Sequence, residues 1–290
     1  MCRTFKILLL IHFFVVCICS DVVVKDTCVA DMYMGEVTDA WLKETHALIQ
    51  SNHQSWAKCH GYTYIHQTQS LNAHLDPHWT KLYLIKNLLS TKCSRVLFLD
   101  FDALFMHCGY SIDYLFGREK VLDNEVFIFS GDTNIINSGV MIFKRSEWVS
   151  KFLDDVLAIG PTPGLGMGYE NTALAIALVG CHKNSTRLER EQCYNRSDYA
   201  YIEKTQQNKK TSYYKIMLGI KSTLVGVVDH QYIDYIHLMP HNWFNSYKAK
   251  SANFIVHFPG QAKKNALLNR IASRVECVCN QTSPLRSPDK

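Results

Sequence analysis

Short apolar runs alternate with amphipathic stretches along the first third of the chain. Residues 22–30, 62–66 and 95–99 have the length and apolar content of buried strands. Between them, residues 38–58 and 78–89 carry apolar positions at helical spacing. The order strand, helix, strand, helix, strand predicts a parallel sheet with helices on its faces, which is an α/β fold.

The remaining chain continues this alternation at wider intervals. It predicts four strands, at residues 126–129, 139–144, 235–238 and 253–258, and three helices, at residues 146–158, 169–179 and 265–273. The polar segment 182–211 interrupts the pattern and is typical of a surface excursion. We therefore expect one domain over residues 21–275, followed by a tail at residues 276–290.

The composition excludes several classes of protein. Of the 290 residues, 47% are hydrophobic and 20% are charged, which is typical of a globular chain and not of a disordered one. The length supports a sizeable core, so a small scaffold held together only by disulfides is excluded. The formal net charge is +5, and it falls to +3 without Arg3 and Lys6. This charge is small for a protein that binds polyanions, so nucleic acid is not an expected partner.

The leader, residues 1–20, resembles a signal peptide. Arg3 and Lys6 precede a mostly apolar run over residues 7–19, and the small Ser20 suits a processing site. A membrane-spanning helix needs about 20 apolar residues, so a short signal anchor that extends beyond the leader is the alternative. The membrane is an expected partner only if the leader is retained.

Cysteines and glycosylation sequons point to the same compartment. Eleven cysteines are present, three of them in the leader, and the even remainder is typical of disulfide-bonded proteins in an oxidising compartment. Cys181 and Cys193 would close a short loop, and we take their pairing as a hypothesis. Sequons begin at Asn184, Asn195 and Asn280. We expect a glycoprotein in the lumen of the secretory pathway, in the endoplasmic reticulum or Golgi, or outside the cell.

The most informative stretch is LFLDFDALF, residues 97–105, in which an apolar strand ends in two carboxylates. Asp100 and Asp102 are two residues apart, so in an extended chain their side chains project to the same side. Two carboxylates this close repel unless a divalent metal or an unusual sharing of a proton compensates them. Oxygen ligands on an open site suit Mn²⁺ or Mg²⁺. Open α/β sheets also bind ligands at the carboxyl ends of their strands. Alternatively, one aspartate caps the next turn while the other faces water.

A second candidate element lies far downstream, at the end of another apolar strand. His257 begins the segment HFPGQAKK, and its imidazole would be able to join a metal site. Gly260 allows a backbone N–H to approach one phosphate, and Lys263 or Lys264 would neutralise a second. A metal, backbone donors and a lysine around one anion would stabilise a departing nucleoside diphosphate. The alternative is a structural histidine followed by a turn.

Seven motifs together resemble one enzyme family. In chain order they are HGYTYI (60–65), HWTKL (78–82), LFLDFDALF (97–105), NSGVMIFKRSEW (137–148), YENTALAIAL (169–178), MPHNWFNSY (239–247) and HFPGQAKK (257–264). Their order and spacing resemble the metal-dependent GT-A glycosyltransferases, and within them the mannan galactosyltransferase and xyloglucan xylosyltransferase group. The resemblance implies a Rossmann-like α/β fold with a mixed, mostly parallel sheet and flanking helices. It also implies retaining transfer of a hexose or pentose from a nucleotide sugar, with UDP expected, to a glycan or glycoprotein acceptor.

The same resemblance assigns roles to the two strand ends. It implies that Asp100, Asp102 and His257 hold Mn²⁺ or Mg²⁺, and that Asp100 also contacts the ribose of the nucleotide. It further implies that Gly260 and Lys263 contact the diphosphate of the donor.

Contacts to the donor sugar are expected from other motifs. Glu170 and Asn171 stand where the family has Asp-Gln, and the resemblance implies that both are catalytic, with Glu170 stabilising charge near the anomeric carbon. Asn137 is similar to a sugar-hydroxyl contact, and Lys81 to a nucleotide-side contact. The structural alternatives are a helix-dipole partner for Glu170, a left-handed turn for Asn137 and a solvated lysine at Lys81. Trp79 is expected in the core.

Two other functions are compatible with parts of this pattern. Phosphatases of the haloacid-dehalogenase type also end a strand in D-x-D, but here Ala-Leu follows where Gly-Thr or Gly-Val is usual, and no later acidic pair ends a strand. A secreted carbohydrate-binding protein that kept the fold without turnover would use aromatic faces such as those of Trp243, Phe244 and Tyr247. Such side chains are more often part of the core.

Overall fold

The structure, a computed structural model, describes residues 27–35, 40–71, 77–131, 136–160, 169–178, 234–250, 253–259 and 271. Within these residues the chain forms eight strands: β1 (Thr27–Met32), β2 (Thr63–Gln67), β3 (Arg95–Asp100), β4 (Ala103–Phe105), β5 (Phe127–Ser130), β6 (Asn137–Lys144), β7 (Ile236–Leu238) and β8 (Ile255–His257). The helices there are α1 (Ala40–Cys59), α2 (Pro77–Thr91), α3 (Ile112–Glu119), α4 (Glu147–Ile159), α5 (Tyr169–Leu178) and α6 (His241–Phe244).

Six strands form a central sheet in the order β2-β1-β3-β6-β5-β7. β1 pairs in parallel with both β2 and β3, and β5 pairs in parallel with β7. β6 runs antiparallel to both of its neighbours, β3 and β5, so it alone in this sheet has the opposite direction. The predicted mixed, mostly parallel sheet is confirmed.

Both faces of the sheet are buried, because successive side chains of a strand point to opposite faces. On β3, Val96 and Phe98 enter a core cluster that also contains residues of α2, α4 and α5. The alternate residues Leu97 and Leu99 enter a second cluster on the other face, together with Trp56 of α1. This double burial explains why the strand is a continuous apolar run without alternation.

Three short elements were not predicted from the sequence: β4, α3 and α6. A strand of three residues or a helix of four is too short to show a hydrophobic period, which explains two of these omissions. The eight-residue α3 is defined by its ends: the hydroxyl of Ser111 accepts a hydrogen bond from Tyr114 N, and Lys120 ends the helix in the left-handed conformation. β4 matters most, because it pairs antiparallel with β8 in a separate two-stranded sheet.

One disulfide ties the sheet to a helix end. Cys28 of β1 is bonded to Cys93, which follows α2, and both are buried. Cys59 and Cys108 are also disulfide-bonded. The proposed Cys181–Cys193 pair, the leader and the three sequons lie outside the described residues. In the part of the chain that the structure describes, no helix has the length and apolar character needed to cross a bilayer.

Candidate active site

Two strand ends meet at the proposed metal ligands. Asp100 is the last residue of β3, and a two-residue turn carries the chain past Asp102 into β4. β4 pairs with β8 so that Ala103 is opposite His257. His257 Nε2 consequently lies 3.1 Å from an Asp102 carboxylate oxygen and 3.7 Å from an Asp100 carboxylate oxygen. Ligand atoms from all three side chains lie within 4.8 Å of one another, which is the spacing of a site that could hold a metal ion.

The burial of the three ligands differs in a way that suits an open site. The His257 side chain is buried, whereas the Asp100 and Asp102 side chains retain 27% and 19% of their exposure. One side of the cluster is therefore walled by protein and the other is open to solvent. A metal bound here would keep positions for ligands that do not come from the protein.

Lys81 of α2 lies beside the Asp100, Asp102 and His257 side chains and contacts two carboxylates. Its ammonium nitrogen is 2.7 Å from an oxygen of Asp100 and 2.9 Å from an oxygen of Glu170, and it also donates to Ser138 Oγ at 3.2 Å. Burial alone would lower the pKa of Lys81, but the two carboxylates outweigh it and raise that pKa above its ordinary value. The side chain is only 2% exposed, so the alternative of a solvated surface lysine is wrong.

Glu170 and Asn171 lie in the first turn of α5 and connect it to the start of β6. Ser138 Oγ donates to Glu170 Oε1 at 2.6 Å, and the backbone N–H of Ser138 donates to Asn171 Oδ1 at 2.7 Å. The other carboxylate oxygen, Glu170 Oε2, is buried and has no hydrogen-bond partner among the described residues. Glu170 is therefore more than a residue favoured by the helix dipole, since it forms a buried ion pair with Lys81.

Among the described side chains that meet at this site, carboxylates outnumber cationic groups. With the carboxylates ionised, Asp100, Asp102 and Glu170 carry three negative charges, and Lys81 supplies one positive charge. A divalent cation would add positive charge beside this excess of carboxylates. Carboxylate oxygens together with an imidazole nitrogen are a donor set that suits Mn²⁺ and also accepts Mg²⁺. The residues present therefore fit a divalent metal.

Asn137 and Gly139 shape the wall beside His257. Asn137 Oδ1 accepts from Gly139 N at 2.8 Å, and its amide nitrogen donates to the Tyr247 hydroxyl. Asn137 is the first residue of β6 and does not have a positive φ, so the alternative of a left-handed turn is wrong. A Cβ atom added to Gly139 would lie 2.0 Å from His257 Cε1. The glycine thus leaves the space that the imidazole occupies.

A second polar network lies behind the D-x-D turn. The buried carboxylate of Asp31, on β1, is 2.5 Å from Nδ1 of both His53 and His66 and accepts from Tyr64 at 2.7 Å. His53 Nε2 lies 2.8 Å from the carbonyl oxygen of Ala103. Burial would raise the pKa of Asp31, but these hydrogen bonds and the charge of His53 outweigh it and lower that pKa to about 2.

The remaining predicted residues fall in three groups. Gly260 and Lys263 lie outside the described residues. Trp79 is buried in the core as predicted. Trp243 and Phe244 are also buried, so their faces do not offer the sugar-stacking surface that a carbohydrate-binding protein would need.

Sequence reasoning missed several residues of the site, including Ser138, Gly139, Asn245 and Asp31. The first three lie in motifs noted above, NSG and MPHNWFNSY, but their partners come from other parts of the chain. A motif marks a position as noteworthy without stating what it contacts. Asp31 had no motif signal, and its position at the end of a predicted strand was the one usable clue.

Comparison with solved structures extends this description of the fold. No protein-family model matches the chain, and no curated protein matches its sequence. A glycosyltransferase involved in the glycosylation of the major capsid of PBCV-1 superposes with a TM-score of 0.52 at 11% identity, covering 86% of this chain and 99% of that one. The glycosyltransferase GlyE of Streptococcus pneumoniae TIGR4 gives 0.41 at 13% identity, covering 86% of this chain and 60% of that one. Mouse xyloside xylosyltransferase 1 gives 0.38 at 10% identity, covering 81% and 98%. The first of these likenesses confirms the glycosyltransferase-type α/β fold expected from the sequence.

Proposed function

We propose that this protein is a metal-dependent glycosyltransferase that moves a hexose or pentose from a nucleotide sugar, with UDP as the expected nucleotide, to a glycan or glycoprotein acceptor. The observation that carries the proposal is the convergence of Asp100, Asp102 and His257 at the carboxyl end of a central strand. The glycosyltransferase-type fold supports it, because open α/β sheets bind their ligands at that edge.

Metal and diphosphate would share the open side of the site. Asp100, Asp102 and His257 would hold Mn²⁺ or Mg²⁺, with Asp100 also close to the ribose. When bound, the metal supplies positive charge to the departing diphosphate, where negative charge develops during sugar transfer. Gly260 and Lys263 remain the proposed protein contacts to that diphosphate.

Glu170 would act beside the transferred sugar. Its Oε1 is already used by Lys81 and Ser138, whereas its buried Oε2 has no hydrogen-bond partner among the described residues. We propose that Oε2 receives a sugar hydroxyl or faces positive charge at the anomeric carbon when the donor is bound. The ion pair keeps this carboxylate in place without neutralising it completely. We propose retention of anomeric configuration, with Asn171 and Asn137 completing the sugar site.

The predicted leader, the sequons and the cysteines support a place in the secretory pathway. The Cys28–Cys93 disulfide agrees with an oxidising compartment. We propose that the protein acts in the lumen of the endoplasmic reticulum or Golgi, or after secretion, where glycan and glycoprotein acceptors are available.

A thermal-shift panel of nucleotide sugars, with Mn²⁺ and with EDTA, tests the function. We expect a UDP-sugar to raise the melting temperature only with Mn²⁺, because a ligand at 100 times its Kd stabilises by ~2.7 kcal/mol. Transfer or hydrolysis, measured as UDP release, should stop with EDTA. D102N should lose both responses, whereas D154N, at an exposed position on α4, should keep them.

Three results would contradict the proposal. The first is a panel in which no nucleotide sugar shifts the melting temperature in Mn²⁺. The second is release of phosphate from a phosphomonoester, which would indicate the phosphatase. The third is glycan binding that survives both EDTA and D102N, which would indicate a carbohydrate-binding protein.

A further inference from the structure

Only one nitrogen of His257 faces the carboxylates. Nε2 is the atom 3.1 Å from Asp102 and 3.7 Å from Asp100. To bind a metal there, Nε2 must offer a lone pair, so the single proton of the neutral ring has to be on Nδ1. The ring has little freedom to find another position, because it packs directly against the backbone at Gly139.

Nδ1 points away from the cluster toward one side chain. It lies 2.9 Å from Asn245 Oδ1, and both residues are buried. Asn245 directly follows α6, and its backbone N–H donates to the carbonyl oxygen of His241 at 3.0 Å. The next residue, Ser246, donates from its N–H to Ile255 O at 3.1 Å and accepts from His257 N at 2.8 Å, which fixes this segment relative to β8. An amide oxygen only accepts hydrogen bonds, so in this arrangement Nδ1 carries a proton, and in the neutral ring Nε2 is then free to bind a metal.

We propose that Asn245 is a positioning residue that selects the metal-binding tautomer of His257. The inference rests on the proposed function only in taking Asp100, Asp102 and His257 as a metal site. Partners of this kind, which bond the outer nitrogen of a ligating histidine, fix its tautomer and orientation, and their loss weakens metal binding by about 10–100-fold.

Two variants at this position separate the roles of shape and hydrogen bonding. N245L keeps the branching at Cγ and the number of heavy atoms but has no acceptor, so Nδ1 loses its partner and the proton is no longer directed to it. N245D has only acceptor oxygens, so it preserves the Nδ1–H donor arrangement. The matched control is N253L, which makes the same replacement at another buried asparagine, whose side chain bonds the backbone of Lys250 and Asn242.

The measurement is a Mn²⁺ titration of the full chain without nucleotide. The electron paramagnetic resonance signal of free Mn²⁺ reports how much of the metal is bound. The second readout is the modulation of the Mn²⁺ electron spin echo by a directly bound imidazole nitrogen. Circular dichroism checks that each variant is folded. We expect N245L to bind Mn²⁺ about 10–100-fold more weakly and to lose the nitrogen modulation, N245D to bind at least as tightly as the unmodified protein, and N253L to keep the original affinity.

The outcomes separate this inference from the proposed function. If the unmodified protein binds no Mn²⁺, both are overturned. If it binds Mn²⁺ and N245L binds equally well, or N245D binds as weakly as N245L, the tautomer role is overturned while the metal site stands. If N245L does not fold, the comparison of N245D with the unmodified protein still decides, because an amide that donates to Nδ1 could not be replaced by a carboxylate.

Discussion

The ammonium group of Lys81 lies between the buried carboxylate of Glu170 and the half-buried carboxylate of Asp100. Glu170 depends on it most, because that side chain is almost completely removed from water. Breaking a buried ion pair by removing one partner is strongly destabilising, since the remaining charge stays desolvated. Lys81 therefore affects both the stability of the fold and the geometry of the candidate site.

We predict that K81M lowers the free energy of unfolding by about 3 kcal/mol and abolishes UDP release from a UDP-sugar. K86M is the matched control, because Lys86 lies on the same helix and its pair with Asp154 is exposed. Exposed pairs contribute less than about 1 kcal/mol, so K86M should retain activity. Urea denaturation and an activity assay measure both effects, and equal losses in the two variants would contradict the assigned role.

At the scale of single elements, the position of β4 decides whether the site exists. β4 pairs with β8, which sets Ala103 opposite His257, and α1 holds it from the other side. Asn52 of α1 accepts from Phe105 N at 2.9 Å and donates to Phe105 O at 3.1 Å. His53, the next residue, bonds the carbonyl oxygen of Ala103. Helix α1 thus satisfies backbone groups that a three-residue strand leaves open.

We predict that N52A destabilises the protein by about 2 kcal/mol and weakens Mn²⁺ binding. The substitution leaves a buried N–H and a buried carbonyl of Phe105 unsatisfied, and β4 then loses its anchor beside Asp102. Q54A on the exposed face of α1 should change stability by less than about 0.5 kcal/mol. Urea denaturation and Mn²⁺ titration of both variants test this, and unchanged stability in N52A would show that the anchor is unimportant.

Across the whole molecule, Asp31 connects elements that are distant in sequence. It lies at the end of β1 and bonds His53 of α1 and both Tyr64 and His66 of β2. Because the folded protein lowers the pKa of Asp31 from 3.8 to about 2, the ionised carboxylate stabilises the native state. That stabilisation is fully present above the unfolded value of 3.8 and is lost as the pH falls through about 2.

We predict that the stability difference between the unmodified protein and D31N shrinks by about 2 kcal/mol between pH 5 and pH 2. The lower pH protonates Asp31 and so removes the stabilisation by its ionised carboxylate. D31N does not have this stabilisation at any pH. D154N, at an exposed position, should follow the unmodified protein. A difference that does not vary with pH in urea unfolding would contradict the assigned role of the charge.

Much of the architecture could be predicted without coordinates. The elements from β1 to β3, the strands β5 to β8 and the helices α4 and α5 all follow from hydrophobic period and length. The acidic pair at the end of an apolar strand and the histidine at the end of another were also visible. These features are local, because the period of a helix or strand decides which of its own side chains share the buried face.

The tertiary structure decided which distant residues meet. The pairing of β4 with β8 brings His257 to Asp102, and the packing of α2 against β3 carries Lys81 beneath the same cluster. No period within either segment encodes these contacts, because each depends on how elements far apart in the chain pack together. The sequence by itself therefore determined the α/β order and the chemical types at the strand ends. Only folding determined that three carboxylates, a lysine and an imidazole held by Asn245 form one site.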